Sequence, residues 1–175
     1  MLVIIALALL VTSGWPVIFT QARIGLKGAP FTMYKFRTMA GASDAARPRA
    51  PKVEDWDTYV FSLPGDQART TRIGAFLRRT GLDELPQLVN VLKGDMSLVG
   101  PRPELPDLVE QYPEEFHRRH EVRPGMTGPA QVEGRRELTY GEILRYDLDY
   151  VDSHPLSRDV SILVRTIGTV LRRRE

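Results

Sequence analysis

The chain opens on an unbroken apolar run, Met1 to Val11 (MLVIIALALLV), with no charged side chain. As a helix the run spans roughly 16 Å, short of the about 30 Å hydrocarbon core of a bilayer. Three readings compete: a buried strand or core helix, a signal peptide, and a segment that dips into a membrane or lies at its interface. The signal peptide is disfavoured, because the run has no basic n-region and Trp15-Pro16 is a poor cleavage site. Trp15 favours the interfacial reading, since tryptophan prefers the headgroup level.

Beyond the turn residues Thr12 to Pro16, Val17 to Gln21 reads as a strand. Gly25 to Gly28 reads as a turn, and Phe31 to Met39 (FTMYKFRTM) as a second strand that pairs with the first. Alternation places Lys35 and Arg37 on one face of it. Residues 41–64, rich in Ala, Pro, Asp and Arg, predict a long surface loop with a short helix over 54–60. Arg72 to Arg79 predicts a helix with Ile73, Phe76 and Leu77 on one face.

The next helix is expected to start at Asp83 as its N-cap, with Pro86 in the first turn and an apolar stripe of Leu85, Leu88, Val89 and Leu92. Gly94 ends it. Leu98 to Pro103 predicts a rigid, extended turn, Leu105 to Phe116 an amphipathic helix, and Arg123 to Gly128 a loop. Two more helices follow, Tyr140 to about Val151 and Asp159 to Arg173. The last is expected to turn Val160, Leu163, Val164, Ile167, Val170 and Leu171 inward. The expected class is α+β, mostly helical with a small β-hairpin. A membrane-dipping or interfacial segment (1–14) precedes one folded domain (15–175).

Composition narrows the chemistry. The 175 residues are 42% hydrophobic and 26% charged, enough for one core, and the net charge is only +2. There is no cysteine, which excludes disulfides, thiolate metal sites and cysteine nucleophiles. No Walker A run, no Gly-x-Gly-x-x-Gly and no Gly-x-Ser-x-Gly occurs. Basic residues do not interleave with aromatics on an evident strand, so nucleic acid is not an expected partner.

Asp83-Glu84 is the sharpest candidate. An N-capping Asp83 would be held ionised by backbone N–H groups, with a low pKa, and an ionised carboxylate is a nucleophile toward phosphorus. Glu84 could hold a divalent cation. Spacing alone favours an ordinary helix start, with Asp at the N-cap and Glu in the first turn. Arg102 stands between two prolines that restrict its backbone, a preorganised phosphate contact or a simple tight turn. Lys35 and Arg37 could bind phosphate or solubilise a sheet edge. Arg123, Arg135 and Arg136 flank glycine-containing loops. His117-Arg-Arg-His120 has helical metal-ligand spacing but no acidic partner, and reads as a surface helix.

Four blocks together resemble the bacterial sugar transferase family, the monotopic polyprenyl-phosphate phosphoglycosyl transferases. They are Val17 to Gly25 (VIFTQARIG) with Tyr34 to Met39 (YKFRTM), Thr71 to Pro103 (TRIGAFLRRTGLDELPQLVNVLKGDMSLVGPRP), Arg123 to Arg135 (RPGMTGPAQVEGR), and Asp147 to Val151 with Asp159 and Thr166. The resemblance implies transfer of a sugar 1-phosphate from a UDP-sugar to polyprenyl (undecaprenyl) phosphate. UMP is released and a covalent aspartyl-phosphosugar forms on Asp83. The same resemblance implies Mg²⁺ at Asp83 and Glu84, and phosphate or nucleotide contacts from Lys35, Arg79, Arg102, Arg135 and Asp147. It places the chain on the cytoplasmic face of the bacterial inner membrane, at the first membrane step of exopolysaccharide, capsule, O-antigen or glycoprotein glycan synthesis.

The family's longer re-entrant helix is matched only in its second half, by Met1 to Val11. Glu133 stands where asparagine is common, and Asp152 to Pro155 departs from an Asn-x-Ser pattern. Two rival readings are a nucleotide-sugar hydrolase or pyrophosphatase with water as acceptor, and a non-catalytic membrane scaffold.

Overall fold

A computed structural model describes residues 1–40, 49–60, 70–134 and 137–172. Among the described residues the fold is mixed helix and strand, with two small sheets. Helix α1 (Leu2–Ser13) forms from the opening apolar run and stops where Gly14 N donates to Leu10 O. One stripe of α1 is core: Leu9 is buried with Val17, Phe36 and Leu77, and Ile5 and Ala6 flank it. Much of the rest is apolar and exposed, including Val3, Ile4, Leu7, Val11 and the neighbouring Trp15. No helix among the described residues is long and apolar enough to cross a membrane.

Strands β1 (Ile18–Ile24) and β2 (Pro30–Phe36) form the expected hairpin, antiparallel from Ile18 opposite Phe36 to Ile24 opposite Pro30. A 3-10 turn, Leu26–Gly28, joins them. β2 ends before Arg37, and this corrects the shared-face reading. Arg37 is buried and turns to the end of α1, donating to the carbonyls of Ser13, Gly14 and Trp15. A cation at a helix C-terminus meets carbonyls that have no intrahelical partner.

Helix α2 (Arg72–Thr80) is capped by the Thr71 hydroxyl, which accepts from Gly74 N at 3.0 Å. Gly74 lies against the Thr38 backbone so closely that a Cβ there would sit 2.0 Å from the Thr38 carbonyl oxygen. Gly81, at φ 70°, ends α2 in the left-handed region that favours glycine, and a 3-10 turn, Leu82–Glu84, follows. Helix α3 (Gln87–Lys93) therefore starts later than expected, with Pro86 rather than Asp83 at its N-cap.

α3 is also inside out. Its buried side chains are Gln87 and Asn90, while Leu88, Val89 and Leu92 are exposed. Asn90 is held by hydrogen bonds to Thr32 O, Tyr34 N and Asp95, so polar satisfaction, not apolar burial, seats this helix.

Two segments read as a turn and a loop pair instead as parallel strands, β3 (Ser97–Val99) and β4 (Gly125–Thr127). Three-residue strands are too short to show alternation, and their partner lies far along the chain. The helix expected over 105–116 is broken. Helix α4 (Pro106–Val109) is followed by Pro113 and a 3-10 helix over Glu114–Glu121, as a proline without an N–H dictates. After β4 comes a short helix, α5 (Pro129–Val132).

Helix α6 (Tyr140–Asp152) matches its expected span, with a capping box between Thr139 and Glu142. The stretch expected as surface loop contributes to its start: Trp56 O and Tyr59 O accept from Gly141 N and Tyr140 N, each at 2.7 Å. Trp56 packs on Tyr112, Phe116 and Tyr140 at the edge of the main core, which also holds Leu105, Leu108 and Leu144. Helix α7 (Leu156–Arg172) starts ahead of Asp159, whose carboxylate accepts from the Tyr150 hydroxyl at 2.6 Å. Much of its expected inward stripe faces outward: Val160, Leu163, Val164 and Ile167 are exposed, while Val170 is half-buried and Ile162 is buried; the side chain of Leu171 lies outside the described residues.

Candidate active site

Three elements converge. β2 supplies Lys35, the turn after α2 supplies Asp83 and Glu84, and the stretch after β3 supplies Arg102. The Arg102 fork meets the Glu84 carboxylate at two points, Nη2 to Oε1 at 2.7 Å and Nη1 to Oε2 at 3.3 Å. Lys35 Nζ donates to the same Oε1 at 3.0 Å. All three side chains are mostly buried, at 16–25% exposure.

Burial alone would raise the Glu84 pKa. Arg102 and then Lys35, by charge and hydrogen bond, overcome it and hold the carboxyl well below the usual range. Lys35 is pushed down to about 8 by burial and by Arg102, with Glu84 pulling the other way. At neutral pH it is still a cation.

Asp83 is different. Among the described residues its carboxylate makes no hydrogen bond, and it does not cap a helix. Burial and then Glu84 raise its pKa, against the pull of Lys35, Arg102 and Arg78. The low pKa expected from an N-cap is thus corrected: the N–H groups that would have lowered it belong to a helix starting past Pro86. A raised pKa makes the anion a stronger base, a property that suits a nucleophile.

The remaining cationic candidates divide. Arg79 is exposed at the end of α2, and Arg78, half-buried beside it, is the residue whose charge acts on Asp83. Arg123 donates to Gly94 O at the end of α3. Arg135 and Arg136 lie outside the described residues.

Asp147 is fully buried and ion-paired with Arg119. Arg119 also donates to the Tyr112 hydroxyl at 2.8 Å and to the carbonyl of Arg102 at 2.9 Å. The reading of 117–120 as a surface helix is corrected, because Arg119 and His120 are both buried. In a 3-10 helix residues three apart share a face, so Arg119 follows Phe116 inward. That signal was in the sequence, but only once the helix type was known. Among the described residues no three metal-ligating side chains gather. Instead His120 stacks on the Tyr112 ring and His117 meets that ring edge-on.

A hard cation bound through one or two carboxylates and the oxygens of a phosphorylated substrate needs no such trio. Asp83 offers an unengaged carboxylate, and Glu84 stands next to it in the chain with both oxygens already bonded. The donor set fits Mg²⁺ on those terms, with Asp83 as the open ligand.

A family profile described as bacterial sugar transferase matches residues 1–173. The chain is 46% identical over 158 residues to the uncharacterized sugar transferase EpsL of Bacillus subtilis, covering 90% of this chain and 71% of that protein. It is 41% identical over 179 residues to a UDP-glucose:undecaprenyl-phosphate glucose-1-phosphate transferase of Caulobacter vibrioides, covering 98% and 62%. It is 43% identical over 166 residues to an undecaprenyl-phosphate galactose phosphotransferase of Salmonella typhimurium, covering 91% of this chain but 34% of that protein. Against several of these relatives, the chain spans about a third of their length.

Proposed function

The chain belongs to the bacterial sugar transferase family, and from that premise we propose that it transfers a sugar 1-phosphate from a UDP-sugar to undecaprenyl phosphate, releasing UMP. The observation that carries this reading is the contrast within the dyad: Glu84 is locked between Arg102 and Lys35, while the neighbouring Asp83 carboxylate is unbonded and has a raised pKa.

In the first half-reaction an Asp83 oxygen attacks the sugar-bearing phosphorus. The bond from that phosphorus to the bridging oxygen breaks, and UMP leaves with the electron pair. In the second, an oxygen of the lipid phosphate attacks the same phosphorus. The bond to Asp83 breaks and its carboxylate is restored. Glu84 fixes Arg102 and Lys35 as donors aimed at the diphosphate, so that charge developing on its oxygens meets positioned cations. Arg78 adds a third positive charge on the Asp83 side. Mg²⁺ held at Asp83 and Glu84 with the diphosphate would neutralise phosphate charge.

Membrane association is part of the proposal. α1 exposes apolar side chains around most of its surface, α3 presents Leu88, Val89 and Leu92 outward over a polar inner face, and α7 exposes Val160, Val164 and Ile167. Patches of this kind suit a monotopic domain resting on lipid, here the cytoplasmic face of the inner membrane, with α1 as the dipping segment (1–14) ahead of the catalytic domain (15–175).

The test is to incubate the protein with Mg²⁺ and a panel of UDP-sugars, UDP-glucose and UDP-galactose first, with and without undecaprenyl phosphate, and to measure UMP. Release that rises sharply with the lipid supports the transferase. Release indifferent to it points to a hydrolase, and none at all to a scaffold.

A further inference from the structure

The four residues from Pro101 to Glu104 hand their backbone carbonyls to four separate donors. Pro101 O accepts from Gly125 N at 2.8 Å and Glu104 O from Ile24 N at 3.0 Å. Pro103 O accepts from Arg23 Nη1 at 3.1 Å, and Arg102 O from Arg119 Nη2 at 2.9 Å. The donor that reaches the residue carrying the guanidinium is thus a buried side chain.

Arg119 and Asp147 have side chains only 1% exposed. Arg119 Nη1 is fixed on the Tyr112 hydroxyl and Nη2 is shared between Asp147 and the Arg102 carbonyl, while Nε finds no partner among the described residues. A buried ion pair costs desolvation on both sides, and well-packed apolar side chains of similar volume often stabilise a protein as much or more. Stability therefore gives a weak account of this pair. What an apolar pair cannot do is donate to a carbonyl.

We propose that Arg119, itself oriented by Asp147 and Tyr112, is a positioning residue that fixes the backbone of Arg102 and so aims its guanidinium at Glu84 and at the substrate phosphate. The inference rests on the reading of Arg102 as a phosphate contact, and it deepens that reading by naming what holds the contact in place. Between two prolines the Arg102 backbone has little freedom left except rotation of its own peptide units. Pinning its carbonyl removes that freedom, and small misplacements of such a group are expensive in rate.

The experiment replaces the pair as a unit, Arg119→Met with Asp147→Leu, so that neither member of the pair is left charged without the other. The first readout is water exchange of the Arg102 guanidinium protons by nitrogen-15 NMR, assigned by their disappearance in Arg102→Lys. Exchange about tenfold faster than in the parent, in a protein that still unfolds cooperatively, is the expected result. The second readout is UMP release, where kcat falls about tenfold and KM for the UDP-sugar changes far less. Unchanged Arg102 exchange overturns the proposal, whatever the activity does.

Should the double variant not fold, Tyr112→Phe decides. It removes one anchor of Arg119 with little change in packing, so faster Arg102 exchange supports the proposal and unchanged exchange overturns it. If the parent protein releases no UMP, the functional reading fails while the exchange measurement still decides whether Arg119 positions Arg102.

Discussion

The guanidinium of Arg102 grips the Glu84 carboxylate with two nitrogens, at 2.7 Å and 3.3 Å, while Lys35 holds one of the same oxygens at 3.0 Å. A planar fork supplies this two-point contact, and an ammonium on a flexible stem does not. Arg102→Ala is therefore expected to lower UMP release by about 100-fold or more. Arg102→Lys should recover little of it. Steady-state UMP assays on both variants check this, and full recovery by lysine would show that only the charge matters.

Asp83→Asn keeps the shape of the side chain and removes its nucleophilic oxygen. UMP release should vanish. With the acceptor lipid left out, intact mass spectrometry of the parent protein should show a sugar-phosphate adduct that the Asn variant lacks. Undiminished UMP release by Asp83→Asn would falsify the covalent role.

His120 links pH to stability. Burial pushes its imidazole down to about 4, and Arg119 and His117 push in the same direction. Unfolded, it titrates near 6.5. Between these values the unfolded chain takes up a proton that the folded chain refuses, so stability falls as the pH drops through that window. Replacing His120 with Gln should flatten that part of the curve, as read from thermal midpoints across it. A slope identical in parent and variant would mean that His120 is not the group responsible.

Gly74→Ala tests the seat of α2. The added Cβ would lie 2.0 Å from the Thr38 carbonyl oxygen, a backbone atom that cannot swing aside. The expected loss is about 1–3 kcal/mol, seen as a lower denaturation midpoint. UMP release should fall as well, because α2 leads directly into the turn carrying Asp83 and Glu84.

The legible part of this protein was local. The hairpin, the span of α6 and the helix stop at Gly94 follow from periodicity and capping residues. The shift of α3 past Pro86 did not, because Asp83 followed by Pro86 suits a helix start and a 3-10 turn equally well. The inward burial of Gln87 and Asn90 escaped for a different reason: an apolar stripe predicts a buried face only where something apolar covers it. Arg119 was misplaced because its face depends on three residues per turn rather than 3.6. The pairing of β3 with β4 and the reach of Arg119 to the Arg102 carbonyl are contacts between distant segments, which no window along the chain contains.

Arg37 carries a practical consequence for chimeras. Its donors close the end of α1 from a position beyond the hairpin, two residues after Lys35 on the same stretch of chain. A crossover that exchanges the N-terminal helix with that of a relative, if placed anywhere between Trp15 and Arg37, joins a helix end from one parent to a clasp from the other. Junctions placed after Arg37 keep clasp and helix end from one parent, so libraries recombined across this family are best cut there.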